Sequence, residues 1–127
     1  MSLCLAAVGI AVTIAAETFS LSWTHTVEKT EWREEWRIEG ANLVLEKASV
    51  RGSGAGVEPP ADAKLENGFY VWLPGTRHSA VTLRRDPHAG DWTLCASDRC
   101  EPLGVWLGAD VDPVEISAAA ICEARPR

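Results

Sequence analysis

Short apolar runs alternate with polar positions along most of the chain, and turn-forming Gly, Pro and Asp residues separate these runs. Long helical periodicity is absent from the sequence. This pattern is typical of an all-β protein, a compact antiparallel barrel or sandwich of about eight to ten short strands. We predict a single domain over residues 1–127, with strands at 3–6, 10–15, 18–27, 31–39, 42–51, 69–73, 80–85, 92–96, 103–107 and 114–121. Residues 57–68 are predicted as the longest loop, and residues 117–120 are equally compatible with the start of a helix.

Residues 2–16 carry no charged side chain. The stretch is too short for a membrane-spanning helix, which needs about 20 apolar residues. It also lacks the Lys or Arg that precedes the apolar part of a signal peptide, and Ile14 stands where a small residue is preferred before a cut after Ala16. Because Ile10, Val12 and Ile14 alternate with small residues, two first strands are favoured, and a signal segment is the alternative.

Four cysteines form an even set: Cys4, Cys95, Cys100 and Cys122. Cys95 and Cys100 flank a polar turn between two apolar runs, so a hairpin would place them opposite each other. Cys4 and Cys122 would then pair and tie the first strand to the last. Disulfides persist in oxidising compartments, whereas in the cytosol the same cysteines would stay reduced. A zinc site formed by Cys95, Cys100 and a histidine is a further alternative, although C-x4-C alone is a weak signal.

The segment from Phe19 to Glu39 predicts a hairpin. In its first half the apolar side chains occupy odd positions, and in its second half they occupy even positions. This reversal requires a loop with an even number of residues. A four-residue loop pairs His25 with Glu34, whereas a two-residue loop pairs His25 with Trp32. In either register His25 and Glu34 lie within reach of each other on the apolar face.

A carboxylate and an imidazole among tryptophans must satisfy each other or find other partners, because an isolated buried charge is very costly. One interpretation is a structural hydrogen bond between Glu34 and His25 that fixes the strand register. Another is an acid–base or anion-binding pair at the mouth of an aromatic pocket. A small hydrolase or isomerase using this pair is a further alternative, but the sequence offers it no nucleophile motif and no metal cluster.

Alternating glycines follow the predicted strand 42–51, in the run Gly52-Ser53-Gly54-Ala55-Gly56. Backbone N–H groups in such a run can converge on an anion, or the run can form a tight bend. Pro59-Pro60 follow where a dinucleotide-binding loop would open a helix, and the lysine of a phosphate loop is missing. The glycine run therefore predicts an anion site or a bend, and not a nucleotide motif.

The net charge is −6, from 12 Lys and Arg against 18 Asp and Glu. This charge disfavours nucleic acid or an anionic membrane surface as a partner, because binding to either depends on Lys and Arg. The sequence also contains no established catalytic signature. We therefore expect neither a cofactor nor a metal, and we favour a non-enzymatic function over an enzymatic one.

The motif Trp23-Thr24-His25-Thr26-Val27-Glu28-Lys29, the later Trp32 and Glu35, and the glycine run resemble a family of small bacterial proteins, domain of unknown function family 1850. The likeness continues through Trp92-Thr93-Leu94-Cys95 to the last strand. The family usually has serine at the position of Thr26, and threonine keeps the side-chain hydroxyl group. Members are often encoded beside TRAP-type transporters of the TAXI class, and some carry an N-terminal membrane anchor. The resemblance implies an accessory role near a solute importer, and it names no reaction, ligand or catalytic residue.

We therefore expect a non-enzymatic accessory or small-ligand-binding module associated with a TRAP-type solute transporter. Its expected partners are a transporter component or a small carboxylate-bearing solute, and its expected place is the periplasm or the outer face of the membrane, with the cytoplasm as the alternative. The expected ligand-binding residues come from the hairpin and the glycine run: Trp23, His25, Thr26, Glu28, Trp32, Glu34, Ser53, Gly54 and Gly56. A structural interaction domain that pairs through an exposed strand edge is the remaining alternative.

Overall fold

A computed structural model describes residues 1–24, 30–52, 59–85 and 90–126. Twelve strands and one short helix lie within these ranges. The strands are β1 (Ser2–Ala7), β2 (Ile10–Ile14), β3 (Thr18–Thr24), β4 (Glu31–Glu39), β5 (Asn42–Arg51), β6 (Lys64–Glu66), β7 (Phe69–Trp72), β8 (Thr76–His78), β9 (Ala80–Leu83), β10 (Thr93–Ala96), β11 (Arg99–Pro102) and β12 (Val114–Ala119). The helix is α1 (Leu103–Leu107).

The strands form two antiparallel sheets. The small sheet has the order β2-β1-β12-β9, and the large sheet has the order β11-β10-β3-β4-β5-β7-β6, with β8 also paired to β5. Within the described residues the two sheets do not close into one barrel, so the all-β prediction is confirmed in its sandwich form. No helix in the same ranges is long and apolar enough to cross a membrane.

The core lies between the two sheets. In strands such as β3 and β12 alternate residues face it, because side chains along a strand point to opposite sides in turn. The small sheet contributes Leu3, Leu5 and Ile116, and the large sheet contributes Leu21 and Leu94, all of them completely buried. Each such side chain contributes about 1.5–3 kcal/mol through removal of its apolar surface from water. These strands therefore hold the sheets together by the alternation that the sequence displays.

Several predicted elements differ from the observed ones. Residues 103–107 are predicted as a strand, but they form α1, which buries Leu103 and Leu107 one turn apart. Residues 117–120 do not begin a helix, since β12 continues to Ala119. The predicted loop 57–68 contains β6, and β8 and β11 were missed. His78 is the last residue of β8.

Two disulfides connect the four cysteines as predicted. Cys4–Cys122 joins β1 to the segment after β12, with a sequence separation of 118 residues. Cys95–Cys100 joins β10 to β11 across the Ser97-Asp98 turn, and the two residues are directly opposite in the sheet. Ser97 and Asp98 both have positive φ, as a two-residue hairpin turn of type I′ requires. The bonded sulfurs of Cys95 and Cys100 exclude the zinc alternative in this state.

Arg85 joins the two sheets through a largely buried ion pair. Its guanidinium donates to both carboxylate oxygens of Asp91, from Nε at 3.0 Å and from Nη2 at 2.7 Å, and its side chain is only 9% exposed. The same guanidinium donates from Nη1 to the carbonyl oxygens of Ala109 and Val111. Since Arg85 follows β9 of the small sheet and Asp91 precedes β10 of the large one, the pair fixes the sheets at this end.

Candidate ligand-binding site

The β3–β4 hairpin has a register different from both predicted ones. Trp23 lies opposite Trp32, Leu21 opposite Glu34, and Phe19 opposite Trp36. The predicted change of the inward positions, from odd residue numbers in β3 to even ones in β4, is confirmed, because opposite residues in an antiparallel pair share a face. The predicted pairings of Glu34 with His25 and of Trp32 with His25 are wrong as register assignments. Alternation fixes only whether a loop is even, so it could not choose among these registers, and residues 25–29 of the connection lie outside the described residues.

Glu34 lies on the inner face of β4 between two tryptophans. Trp32 donates its indole N–H to Glu34 Oε2 at 2.8 Å, and Trp36 donates its indole N–H to Glu34 Oε1 at 3.0 Å. The three side chains are two residues apart, which places them in a row on one side of the strand. The carboxylate is half-buried, and both of its oxygens accept a hydrogen bond from an uncharged donor. We call Trp32, Glu34 and Trp36 the indole–carboxylate row.

Aromatic rings continue on both sides of this row. The ring centroid of Trp72, from β7, lies 5.7 Å from that of Trp32 in an edge-to-face arrangement. The imidazole of His78 lies 5.4 Å from the Trp36 ring, also edge to face. Phe19 stacks on Trp36 at 6.0 Å. These contacts limit the rotation of the indoles, so Trp32 and Trp36 present their N–H groups to Glu34 in a fixed arrangement.

Strand pairing explains why Trp72 reaches the row. Glu34 is opposite Ala48 of β5, and Ala48 is opposite Trp72 of β7, so all three share one face of the large sheet. A register shift between Glu35 and Trp36 leaves one residue of β5, Glu46, without an opposite partner. This bulge changes which residues of β5 face inward. Before it the odd-numbered Leu43 and Leu45 face inward, and after it the even-numbered Ala48 and Val50 do.

Trp23 and Trp92 form a second aromatic pair on the large sheet. Their ring centroids are 6.3 Å apart and the ring planes are inclined by 31°. Trp23 is half-buried and lies opposite Trp32, so it extends the aromatic surface from β4 onto β3. Thr30, just before β4, is completely buried, and its Oγ1 has no hydrogen-bond partner among the described residues.

The opposite face of β4 has a different character. Its charged side chains are paired with each other and exposed, as in the Glu35–Lys47 bridge at 3.7 Å. Glu39 contacts both Arg77 and Arg37, and hydrogen bonds from these guanidinium groups lower the pKa of the Glu39 carboxyl. The outer face is therefore a solvated charge network, while the inner face carries one carboxylate among rings.

The predicted site is only partly covered by the described residues. Trp23, Trp32 and Glu34 do lie together on the inner face of the hairpin. The other members fall outside the described residues: His25, Thr26, Glu28, Ser53, Gly54 and Gly56. The sequence placed Trp36 on the apolar face without assigning it a role. The sequence around the hairpin did not indicate Trp72, because this residue belongs to β7, the third strand after β4 along the chain.

The indole–carboxylate row is in contact with solvent, since Trp32 and Glu34 are only half-buried. An open depression with a volume of 790 Å³ lies beside the β10–β11 hairpin, and its lining includes Trp36 and Glu35 but neither Trp32 nor Glu34. In the ranges that the structure describes, no group of three His, Cys, Asp or Glu side chains is arranged to hold a metal ion. A molecule bound at the indole–carboxylate row would therefore stay partly in contact with water.

The family comparison matches residues 19–103 to the model described as "Domain of unknown function (DUF1850)". This segment is about two-thirds of the chain. The chain belongs to the DUF1850 family. The DUF1850 segment contains the whole indole–carboxylate row together with Trp72 and the Arg85–Asp91 pair, whereas β1, β2 and β12 lie outside it. No curated protein and no solved structure matches the chain.

Proposed function

We propose that this DUF1850 protein is a non-enzymatic accessory module that binds a small ligand on the inner aromatic face of its large sheet and works with a TRAP-type solute transporter. The observation that carries the binding role is the half-buried Glu34 carboxylate, held between the indole N–H groups of Trp32 and Trp36. A polar group fixed among aromatic rings is the usual composition of a small-molecule site. The transporter link rests on the family resemblance alone.

A further observation supports a binding role over a catalytic one. The Glu34 carboxylate already accepts two hydrogen bonds, which suits a fixed recognition group better than a base that must receive a proton. The second member of the catalytic pair, His25, lies outside the described residues and gives no support to either role.

The β6 edge of the large sheet gives little support to an interaction domain. The large sheet ends at β6, which has only three residues, Lys64–Glu66. A very short edge strand with charged side chains is a common protection against pairing with another chain.

The transporter role is tested by capture from native membranes. We expect the tagged full-length chain to retain the permease subunit of a TRAP-type transporter, identified by mass spectrometry. A Trp32→Leu variant should lose this subunit. The matched control is Trp106→Leu, because Trp106 is also half-buried but donates to the Leu94 carbonyl oxygen at a distance from the row. Equal retention by both variants, or no permease subunit with the parent chain, would contradict the proposal.

The compartment has its own test. Both disulfides favour an oxidising environment, since reducing agents in the cytosol keep most thiols free. We propose the periplasm or the outer face of the membrane. Alkylation of the protein under denaturing conditions, directly after isolation from cells, should label none of the four cysteines. Labelling of all four would place the protein in the cytosol.

A further inference from the structure

Glu34 differs from the other carboxylates of β4 in its partners. Each of the other three has a cationic partner among the described residues: Glu31 with Arg33, Glu35 with Lys47, and Glu39 with both Arg37 and Arg77. Glu34 instead has two uncharged indole donors, and within the described residues no Lys or Arg forms an ion pair with it. Among the described residues, the least exposed face of β4 thus carries the carboxylate that has no cationic partner.

Uncharged donors orient this carboxylate but leave its charge in place. Each ionised oxygen accepts more than one hydrogen bond, so each retains acceptor capacity after binding an indole N–H. Partial burial among rings weakens the hydration of the charge, and a bound cation would offset this cost. The row is therefore preorganised for a positively charged group, because neither indole must move to expose the oxygens.

The surroundings define which cation fits. A divalent metal ion needs about six oxygen ligands, and no cluster of this kind exists in the described ranges. An organic cation needs one carboxylate and apolar or aromatic surfaces for its carbon atoms, and aromatic faces also attract such cations directly. Trp72 and His78 extend the aromatic surface on either side of the row.

The same charge disfavours the carboxylate-bearing solute expected from the sequence. An anion placed beside Glu34 would be repelled by it, and none of the described ion pairs provides a positive group next to the row. A solute recognised here would approach the row through an amino or quaternary ammonium group.

We propose that the indole–carboxylate row binds a small organic cation of the alkylammonium class, with the ammonium group on Glu34 and the carbon atoms against Trp32 and the neighbouring rings. This inference rests on the proposed binding function and names its ligand class. Because Glu34 and Trp32 are only half-buried, we expect weak binding, with a Kd on the order of 1 mM, that salt weakens further.

The test is an NMR titration of the tryptophan indole N–H signals of the full chain. The probes are n-butylammonium chloride, tetramethylammonium chloride and, as the anion of matched length, sodium butyrate. We expect at least one of the two cations to shift the Trp32 and Trp36 indole signals saturably, and butyrate to leave them unchanged. Raising the NaCl concentration from 20 to about 500 mM should weaken cation binding severalfold, because salt screens a partly exposed charge pair.

Glu34→Gln should weaken cation binding at least tenfold. Glu35→Gln is the matched control, since Glu35 is the next residue but belongs to the exposed face and pairs with Lys47. Its affinity should equal that of the parent chain. Glu34→Asp, which keeps the charge, should retain more binding than Glu34→Gln. The comparison of cations with butyrate and the salt dependence use the unchanged chain, so they decide the question even if Glu34→Gln is poorly folded.

Three results would overturn the inference: no cation binds, Glu34→Gln binds as tightly as the parent, or butyrate shifts the same signals as strongly as the cations. Binding of butyrate alone would refute the cation class and leave the proposed binding function standing. Cation binding without retention of a transporter subunit would have the opposite meaning, because the ligand class would stand while the transporter role failed.

Discussion

Glu34 and Glu35 are neighbours in β4 and have opposite surroundings. The Glu34 carboxylate accepts hydrogen bonds from Trp32 and Trp36 on the half-buried inner face, whereas Glu35 pairs with Lys47 on the outer face and has a side chain that is 60% exposed. The pleat of the strand alone produces this difference. The same substitution, Glu to Gln, can therefore be made at both positions. A difference between the two variants then reports on the indole–carboxylate row and not on the loss of one negative charge.

Replacing Glu34 with Gln should destabilise the fold by about 1–3 kcal/mol, because the amide has a single acceptor oxygen and leaves one indole N–H facing another donor. Glu35→Gln should change the free energy of unfolding by less than about 0.5 kcal/mol, as exposed ion pairs contribute little. Urea denaturation followed by tryptophan fluorescence measures both. Equal losses for the two variants would mean that the indole hydrogen bonds are not structural.

Gly104→Ala should destabilise the protein by about 1–3 kcal/mol, since a Cβ at this position would lie 2.9 Å from Nη2 of Arg85. Gly104 also donates its backbone N–H to Asp91 Oδ2, so a shift of the helix disturbs the ion pair. Helix propensity alone predicts the opposite sign, a gain of about 1 kcal/mol. Val105→Ala, in the same helix and 52% exposed, is the control. A higher melting temperature for Gly104→Ala would refute the steric argument.

The Arg85–Asp91 pair should make stability sensitive to acid. Burial by itself raises the pKa of the Asp91 carboxyl, but hydrogen bonds from Arg85 and from the backbone N–H groups of Gly104 and Trp92 outweigh it and bring the pKa below its ordinary value of 3.8. A carboxyl with a lowered folded-state pKa stabilises the fold above its unfolded pKa, and this contribution disappears as the pH falls through the folded-state value.

Asp91→Asn should therefore cost about 2–4 kcal/mol at pH 7, because it leaves a largely buried guanidinium without its counter-charge. The difference from the parent chain should shrink as the pH falls below 3.8. Unfolding curves at several pH values measure this. Asp110→Asn is the control, since its side chain is fully exposed and lies 3.6 Å from Arg85. A cost that stays constant down to pH 2 would contradict the assignment.

The two disulfides should differ in their contribution to stability. Cys4–Cys122 closes a loop with a separation of 118 residues, and loop-closure entropy predicts a contribution of about 5 kcal/mol. Cys95–Cys100 has a separation of only five, for which the same relation predicts about 2 kcal/mol. Paired substitutions to alanine, compared by urea denaturation, measure the two values. A larger loss from the hairpin pair would show that local geometry, and not loop length, determines the effect.

Alternation predicted much of this fold because it reports directly on burial. The inward positions of β3 and β4 and the pairing of Cys95 with Cys100 follow from local sequence, since each depends on parity or on a short turn. The same rule failed at residues 103–107, where Leu103 and Leu107 are spaced for either a strand or one helical turn. Polar strands such as β8 gave no signal, because pairing with β5 and not burial holds them in the sheet.

The sequence by itself determined the all-β class, the inward direction of Glu34 and its placement among tryptophans, because side-chain direction along a strand has a fixed period of two. Only the tertiary structure decided the hairpin register, the two indole donors to Glu34, the approach of Trp72 and the Arg85–Asp91 pair. These features depend on loop length and on contacts between elements distant in the chain. No local pattern records either of them, because many registers and packings satisfy the same alternation.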